Sequence, residues 1–137
     1  MKKLLAAAFA ALLALSAFAF TACAPKTVVV DDTAVIITPS DKILTITEET
    51  VLGDYMDKLV ERGEMTYTAN DGMVTAINDK ANGSNTYWML YTDDAANSNA
   101  DWGTTEYDGK TFQSATLGYA QLPIKAGCTY IWVYQSF

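Results

Sequence analysis

The stretch Tyr87-Trp88-Met89-Leu90-Tyr91-Thr92 constrains this chain's fold more than any other. Its aromatic and aliphatic density predicts a β-strand, entered through the turn-rich Asn82-Gly83-Ser84-Asn85. Strand side chains alternate, so Tyr87, Met89 and Tyr91 fall on one face and Trp88, Leu90 and Thr92 on the other. A strand with large rings on both faces is either covered twice, or covered once and left facing a ligand or partner. Packing is the ordinary use of a Trp in a strand, and recognition is the other.

What can cover it depends on how much chain folds. Lys2-Lys3 precedes an apolar run from Leu4 to Phe20, and Thr21-Ala22-Cys23 follows. A basic start, an apolar stretch and small residues make an export signal. The run falls short of the roughly 20 residues that span a bilayer, and no basic stop-transfer cluster follows it. Residues 1–22 are therefore set aside as a signal peptide. Phe20-Thr21-Ala22-Cys23 resembles the lipobox of bacterial lipoproteins, with Phe20 where Leu is usual. That resemblance implies a lipid on Cys23, palmitate among its acyl chains, holding the protein on the extracytoplasmic face of a bacterial cell membrane without a spanning helix. The other reading is ordinary cleavage near Ala22 or Ala24, leaving Cys23 to pair with Cys128.

The remaining 115 residues suffice for one domain, expected over 33–137 behind a short tether at 23–32 whose Val28–Val30 already has strand composition. Without Lys2 and Lys3, seven basic residues face sixteen acidic ones, a formal charge of −9. This excludes a nucleic-acid partner and an electrostatic grip on anionic lipid. The chain has no His, which removes the commonest acid–base residue near neutral pH and the commonest zinc ligand.

Thr33–Thr38 reads as a strand closed by Pro39, and Ile43–Thr47 as a second. Val51, Leu52, Tyr55, Met56, Leu59 and Val60 form a helical stripe, with Thr50 as N-cap and Gly63 as stop. Two strands, Met65–Ala69 and Met73–Ile77, flank Asn70-Asp71-Gly72 as a hairpin. Residues 78–85 are turn material, and Thr129–Tyr134 closes the chain as a strand. Residues 92–116 are polar and weakly patterned, a loop too long for so small a domain unless it has a function or contains a hairpin. The expected plan is α+β: a small mixed or antiparallel sheet packed by one helix, its second face closed by that excursion or left as a groove.

Four stretches then resemble one family. Thr50-Val51-Leu52-Gly53-Asp54-Tyr55-Met56, Val74–Asn78 leading to Asn82-Gly83, the Tyr87–Tyr91 strand and Leu122–Trp132 are similar to the C-terminal domain of the transcobalamin and intrinsic-factor proteins, found also as short bacterial surface modules. Ala126-Gly127-Cys128 stands where that family more usually has Asp-Gly-Asp. The resemblance covers residues 40–135 and implies a β-grasp-like fold and a face that helps close over cobalamin. The animal carriers hold the corrinoid's other side with a large helical domain, for which this chain has no room. The residues it singles out are Tyr87, Trp88 and Tyr91, and Trp102 joins them by its place in the polar excursion.

The leading expectation is a non-catalytic, membrane-anchored binding module that requires no cofactor and takes a small molecule such as cobalamin, an extracytoplasmic protein or a surface glycan. The alternative is a purely structural, adhesion or assembly domain whose aromatics are all core. Asp93-Asp94, Asp101 and Glu106 are the carboxylates a glycosidase would need, and with Asn97 and Asn99 the oxygens a calcium site would need. No spacing gathers them around a cleft, so neither an enzyme nor a metal site is expected.

Overall fold

The computed structural model describes residues 27–137. The signal peptide, Cys23 and the start of the tether lie outside the described residues. Nine strands and one α-helix follow: β1 (Val28–Val30), β2 (Ala34–Ile37), α1 (Leu52–Glu61), β3 (Tyr67–Asn70), β4 (Met73–Ile77), β5 (Lys80–Ala81), β6 (Thr86–Thr92), β7 (Ser98–Tyr107), β8 (Lys110–Ala115) and β9 (Tyr130–Ser136). Among the described residues the architecture is α+β with a single α-helix and two sheets. Six strands pair in the order β1-β2-β9-β6-β8-β7, and β3-β4-β5 form a small second sheet. Every pairing in both sheets is antiparallel.

β6 is central, as its composition demands. It pairs with β9 from Thr86↔Ser136 to Thr92↔Tyr130. Alternation then sorts the large side chains. Trp88 and Leu90 join Val35, Ile37, Tyr130 and Trp132 on a first face, against which Leu52, Tyr55, Met56 and Leu59 of α1 pack with Val74 and Ile77 of the small sheet. Tyr91 joins Ile36, Ile131 and Phe112 in a separate cluster on the second face.

The helix ends follow backbone accounting. Val51, and not the expected Thr50, is the N-cap. The Asp54 carboxylate accepts from Val51 N–H at 3.0 Å, while Leu52 and Gly53 N–H donate to Leu122 O and Tyr119 O at 2.9 and 2.8 Å. Thr50 Oγ instead accepts from Thr47 N–H at 2.9 Å. Gly63, at φ 74°, ends the helix in a left-handed turn with Gly63 N–H on Val60 O and Glu64 N–H on Leu59 O.

One local expectation is corrected. Ile43–Thr47 alternates like a strand but joins no ladder, because nearby groups take its donors: Ile43 N–H on Ser40 O, Ile46 N–H on Asp41 Oδ1 and Thr47 N–H on Thr50 Oγ. Of the alternatives left for the polar excursion, a hairpin is present: residues 98–115 form β7–β8, turned through Asp108-Gly109 at φ 51° and 75°. Among the described residues no helix is long and apolar enough to cross a membrane.

Candidate functional site

The sequence singled out four rings, and the structure distributes them over two faces. Trp88 lies on the helix face and is buried. Its indole N–H donates to Lys80 O at 2.7 Å, its backbone N–H to Asn82 Oδ1 at 3.0 Å, and its ring lies 5.1 Å from that of Tyr134, whose hydroxyl donates to Ala81 O at 2.6 Å. Trp88 and Tyr134 thus tie β5 of the small sheet to the large one. Tyr87, Tyr91 and the Gly103 neighbour of Trp102 belong to the second face, so Trp88 shares no surface with them.

That second face is covered over only part of its area. β8 meets β6 at just Tyr91↔Ser114 and Thr92↔Gln113, then carries Phe112 over Ile36, Tyr91 and Ile131. Beyond the hairpin, Ala34, Val133 and Met89 form a cross-strand row that is half-buried, and Tyr87, 39 % exposed, follows it toward the sheet's end. The three central strands β2, β9 and β6 place no charged side chain on this face.

Trp102 stands at the margin of the open strip. The β7–β8 register jumps from Asn99↔Ser114 to Thr104↔Gln113, so Ala100–Gly103 bulge from the ladder. Gly103 adopts φ 131°, and a Cβ there would lie 3.8 Å from Tyr91 Oη. Gly103 thus faces the Tyr91 ring, and Trp102 beside it is 62 % exposed. The Tyr91 hydroxyl in turn donates to Gln135 Oε1, across the ladder from Tyr87. Burial raises the Tyr91 phenol above its ordinary range against the opposing Gln135 bond, so it remains a neutral donor. A contiguous set results: Trp102, Gly103, Tyr91, Gln135, Tyr87, with Met89 and Val133 as the floor. Tyr91 is buried with its hydroxyl committed to Gln135, so the exposed chemistry is apolar contact and ring stacking with the Gln135 amide as the polar group.

The sequence reading placed Met89 on the face of Tyr87 and Tyr91 and Val133 in the closing strand, but named neither of them, nor Gln135, as a site residue. The period of the closing strand carried the signal, because Ile131, Val133 and Gln135 fall on one face and Tyr130, Trp132 and Tyr134 on the other.

Of the acidic residues weighed for catalysis or calcium, Asp93 and Asp94 serve as clasps, while Asp101 and Glu106 lie on the edge strand β7. Asp93 accepts from Thr129 N–H at 2.7 Å and from Lys110 Nζ at 2.6 Å. Asp94, 4 % exposed, accepts from Asn97 Nδ2, Lys125 Nζ and Ala96 N–H. Burial pushes the Asp94 carboxyl up, but those donors outweigh it and hold the group below the usual carboxylate range. Burial pushes the partly buried Cys128 thiol up, reinforced by Asp93 and Asp94, which disfavours the reactive thiolate. Among the described residues no cluster of three or more His, Cys, Asp or Glu is arranged to hold a metal.

The chain matches no protein-family model, no curated protein and no solved structure.

Proposed function

We propose that the protein is a non-catalytic binding module, anchored through lipid on Cys23 at the extracytoplasmic face of a bacterial membrane, that receives its ligand on the open strip of the second sheet face. The observation that carries this reading is Trp102, 62 % exposed on the β7 bulge whose next residue, Gly103, faces Tyr91. An exposed indole offers large contact area with few rotors to freeze on binding. The resemblance to the transcobalamin C-terminal domain supports a β-grasp-like fold and makes a corrinoid the first ligand to test, with an extracytoplasmic protein as the other class of partner. A corrinoid lying on one sheet face would leave its other side open, so under this reading a second protein would cover it.

A purely structural or assembly role is the second reading. It is favoured by the burial of Trp88 and Tyr91 and by the hydrogen bonds that use their polar atoms inside the protein.

A corrinoid titration separates the two. Trp88 and Trp132 are buried, so acrylamide-accessible tryptophan emission is expected to come from Trp102. Saturable protection of that emission, with a matching corrinoid absorbance change lost in Trp102→Ala, is the expected outcome. A folded Trp102→Ala chain that binds as the parent does would remove the strip as the site.

A further inference from the structure

Consecutive cross-strand rows on the second sheet face differ in their cover. Ile36, Ile131 and Tyr91 stand side by side across β2, β9 and β6, and all three are buried. Ala34, Val133 and Met89 form the next row, two residues along each strand and so about 7 Å away, and are half-buried. The two rows make one apolar surface. What distinguishes them is Phe112, the ring that β8 lays on the first.

Phe112 rides on a weakly attached arm. β8 pairs with β6 at Ser114 and Gln113, so Lys110–Phe112 have β7 alone as a strand partner. Two cavities flank this stretch, one of about 220 Å³ lined by Phe112 with Ile36 and Thr38, the other of about 160 Å³ lined by Thr111 and Gln113 with Thr92. Alternation puts these on opposite faces of β8, where a packed interior leaves few voids larger than a water. Lys110 ties the arm down: its Nζ reaches Asp93 Oδ2 at 2.6 Å and lies 5.6 Å from the centre of the Phe112 ring. The arm also has a hinge. Between Asn99↔Ser114 and Thr104↔Gln113 the residues Ala100–Gly103 interrupt the ladder, and the break falls on the step where β8 leaves β6. A bulge bends its strand, and Gly103 at φ 131° holds a conformation open chiefly to glycine. Trp102 lies within this hinge.

We propose that the hairpin from Thr104 to Phe112 is a flap that turns about the Ala100–Gly103 bulge, with Phe112 as its plug. With the flap down, the ligand face is the Ala34–Val133–Met89 row; with it raised, Ile36, Ile131 and Tyr91 join that row. The use assigned to the flap rests on the reading of the open strip as a ligand site, but its movement does not. Raising it breaks the Lys110–Asp93 pair and withdraws Phe112 from three side chains, while the β2–β9–β6 ladder and the hairpin's own ladder stay whole. It is a local opening, not an unfolding. Because Trp102 sits at the pivot, a ligand that touches both Trp102 and the uncovered row binds the raised state better, which is the differential contact a population shift requires.

Thiol labelling of the full chain, with no ligand present, tests the movement. Cys23→Ser and Cys128→Ser remove both native thiols. In that background Ile36→Cys, beneath Phe112, is expected to react with a thiol reagent at least about tenfold faster than Ile37→Cys, its fully buried neighbour on the helix face, both rates being normalised to the unfolded chain. Lys110→Met keeps an unbranched stem near Phe112 and removes the ion pair. It is expected to speed labelling of Ile36→Cys about two- to fivefold and to leave Ile37→Cys unchanged. Equal rates at the two positions overturn the flap, because both would then report global unfolding. A Lys110→Met effect shared equally by both positions overturns it too. Should Ile36→Cys alter the circular dichroism, Ile131→Cys reads the same row against the same control. Corrinoid binding by parent and Trp102→Ala reports on the strip alone, so loss of the flap and loss of the ligand site are read separately.

Discussion

The indole N–H of Trp88 finds Lys80 O at 2.7 Å, while that of Trp132, also buried on the same face, has no acceptor. The two rings fill similar volumes, but only one closes its hydrogen-bond account. Replacing each by Phe removes the same polar atom with opposite consequences. Trp88→Phe strands the Lys80 carbonyl and loosens β5, whereas Trp132→Phe discards a donor whose burial without a partner costs about 1–3 kcal/mol. Trp88→Phe is therefore expected to destabilise the fold by at least about 1 kcal/mol more than Trp132→Phe, read from urea midpoints at unchanged slope. Equal losses would mean that the Trp88 bond contributes nothing net. The sequence distinguishes these residues only in part. Alternation assigns Trp88 and Trp132 to faces, but whether an indole meets a carbonyl depends on β5, a two-residue strand inside what reads as turn. Trp102 escapes the period altogether, because it lies in a bulge.

The elements divide by whether their hydrophobic pattern has a partner. α1 and β6 carry strong periods and occur where the pattern puts them. β7 has little apolar content because most of it is exposed on both sides at a sheet edge, so its sequence resembles loop, and only Asp108-Gly109 marks the hairpin. Ile43–Thr47 shows the converse: it has the alternation, yet Ser40, Asp41 and Thr50 offer its N–H groups nearer partners than a neighbouring strand. The hairpin's attachment is correspondingly local. It meets β6 at two residue pairs and depends on Lys110–Asp93 and on the Asp94 cluster with Lys125 and Asn97 at its root. Because the folded Asp94 carboxyl titrates below its unfolded value near 3.9, its contribution is complete above that pH and is lost as pH falls through the folded value. Asp94→Asn, which keeps the shape but loses the charge, is expected to cost about 1.5–3 kcal/mol at neutral pH, the range for hydrogen bonds to a charged group. The gap between parent and variant should stay constant above about pH 5 and shrink below about pH 4. Thermal melts across that range check it, and a gap that widens in acid would contradict the assignment of Asp94 as a depressed, clasped carboxylate.

At the scale of the whole molecule, charge is distributed as unevenly as packing. The described residues carry sixteen acidic groups against six basic ones, yet the central strands leave their second face without charge. The acids therefore crowd the helix surface, the turns and the hairpin edge. Part of this follows from the sequence, since Asp54, Asp57 and Glu61 lie off the helical stripe and Asp71, Asp79 and Asp108 sit in turns. The neutral face does not follow from it, because recognising it requires knowing which strands adjoin. Two of the four ion pairs among the described residues, Lys58–Glu61 and Arg62–Glu64, join substantially exposed groups and contribute little, typically about 0–1 kcal/mol each. The other two have acidic partners shielded from solvent, Asp93 and Asp94, and are screened less. Salt therefore acts mainly on the unpaired acids, whose mutual repulsion disfavours the compact state. Raising NaCl from about 20 mM to about 500 mM shortens the Debye length from about 20 Å to about 4 Å and is expected to raise the melting temperature by a few degrees. A melting temperature that falls with salt would show that attractive pairs outweigh the repulsion.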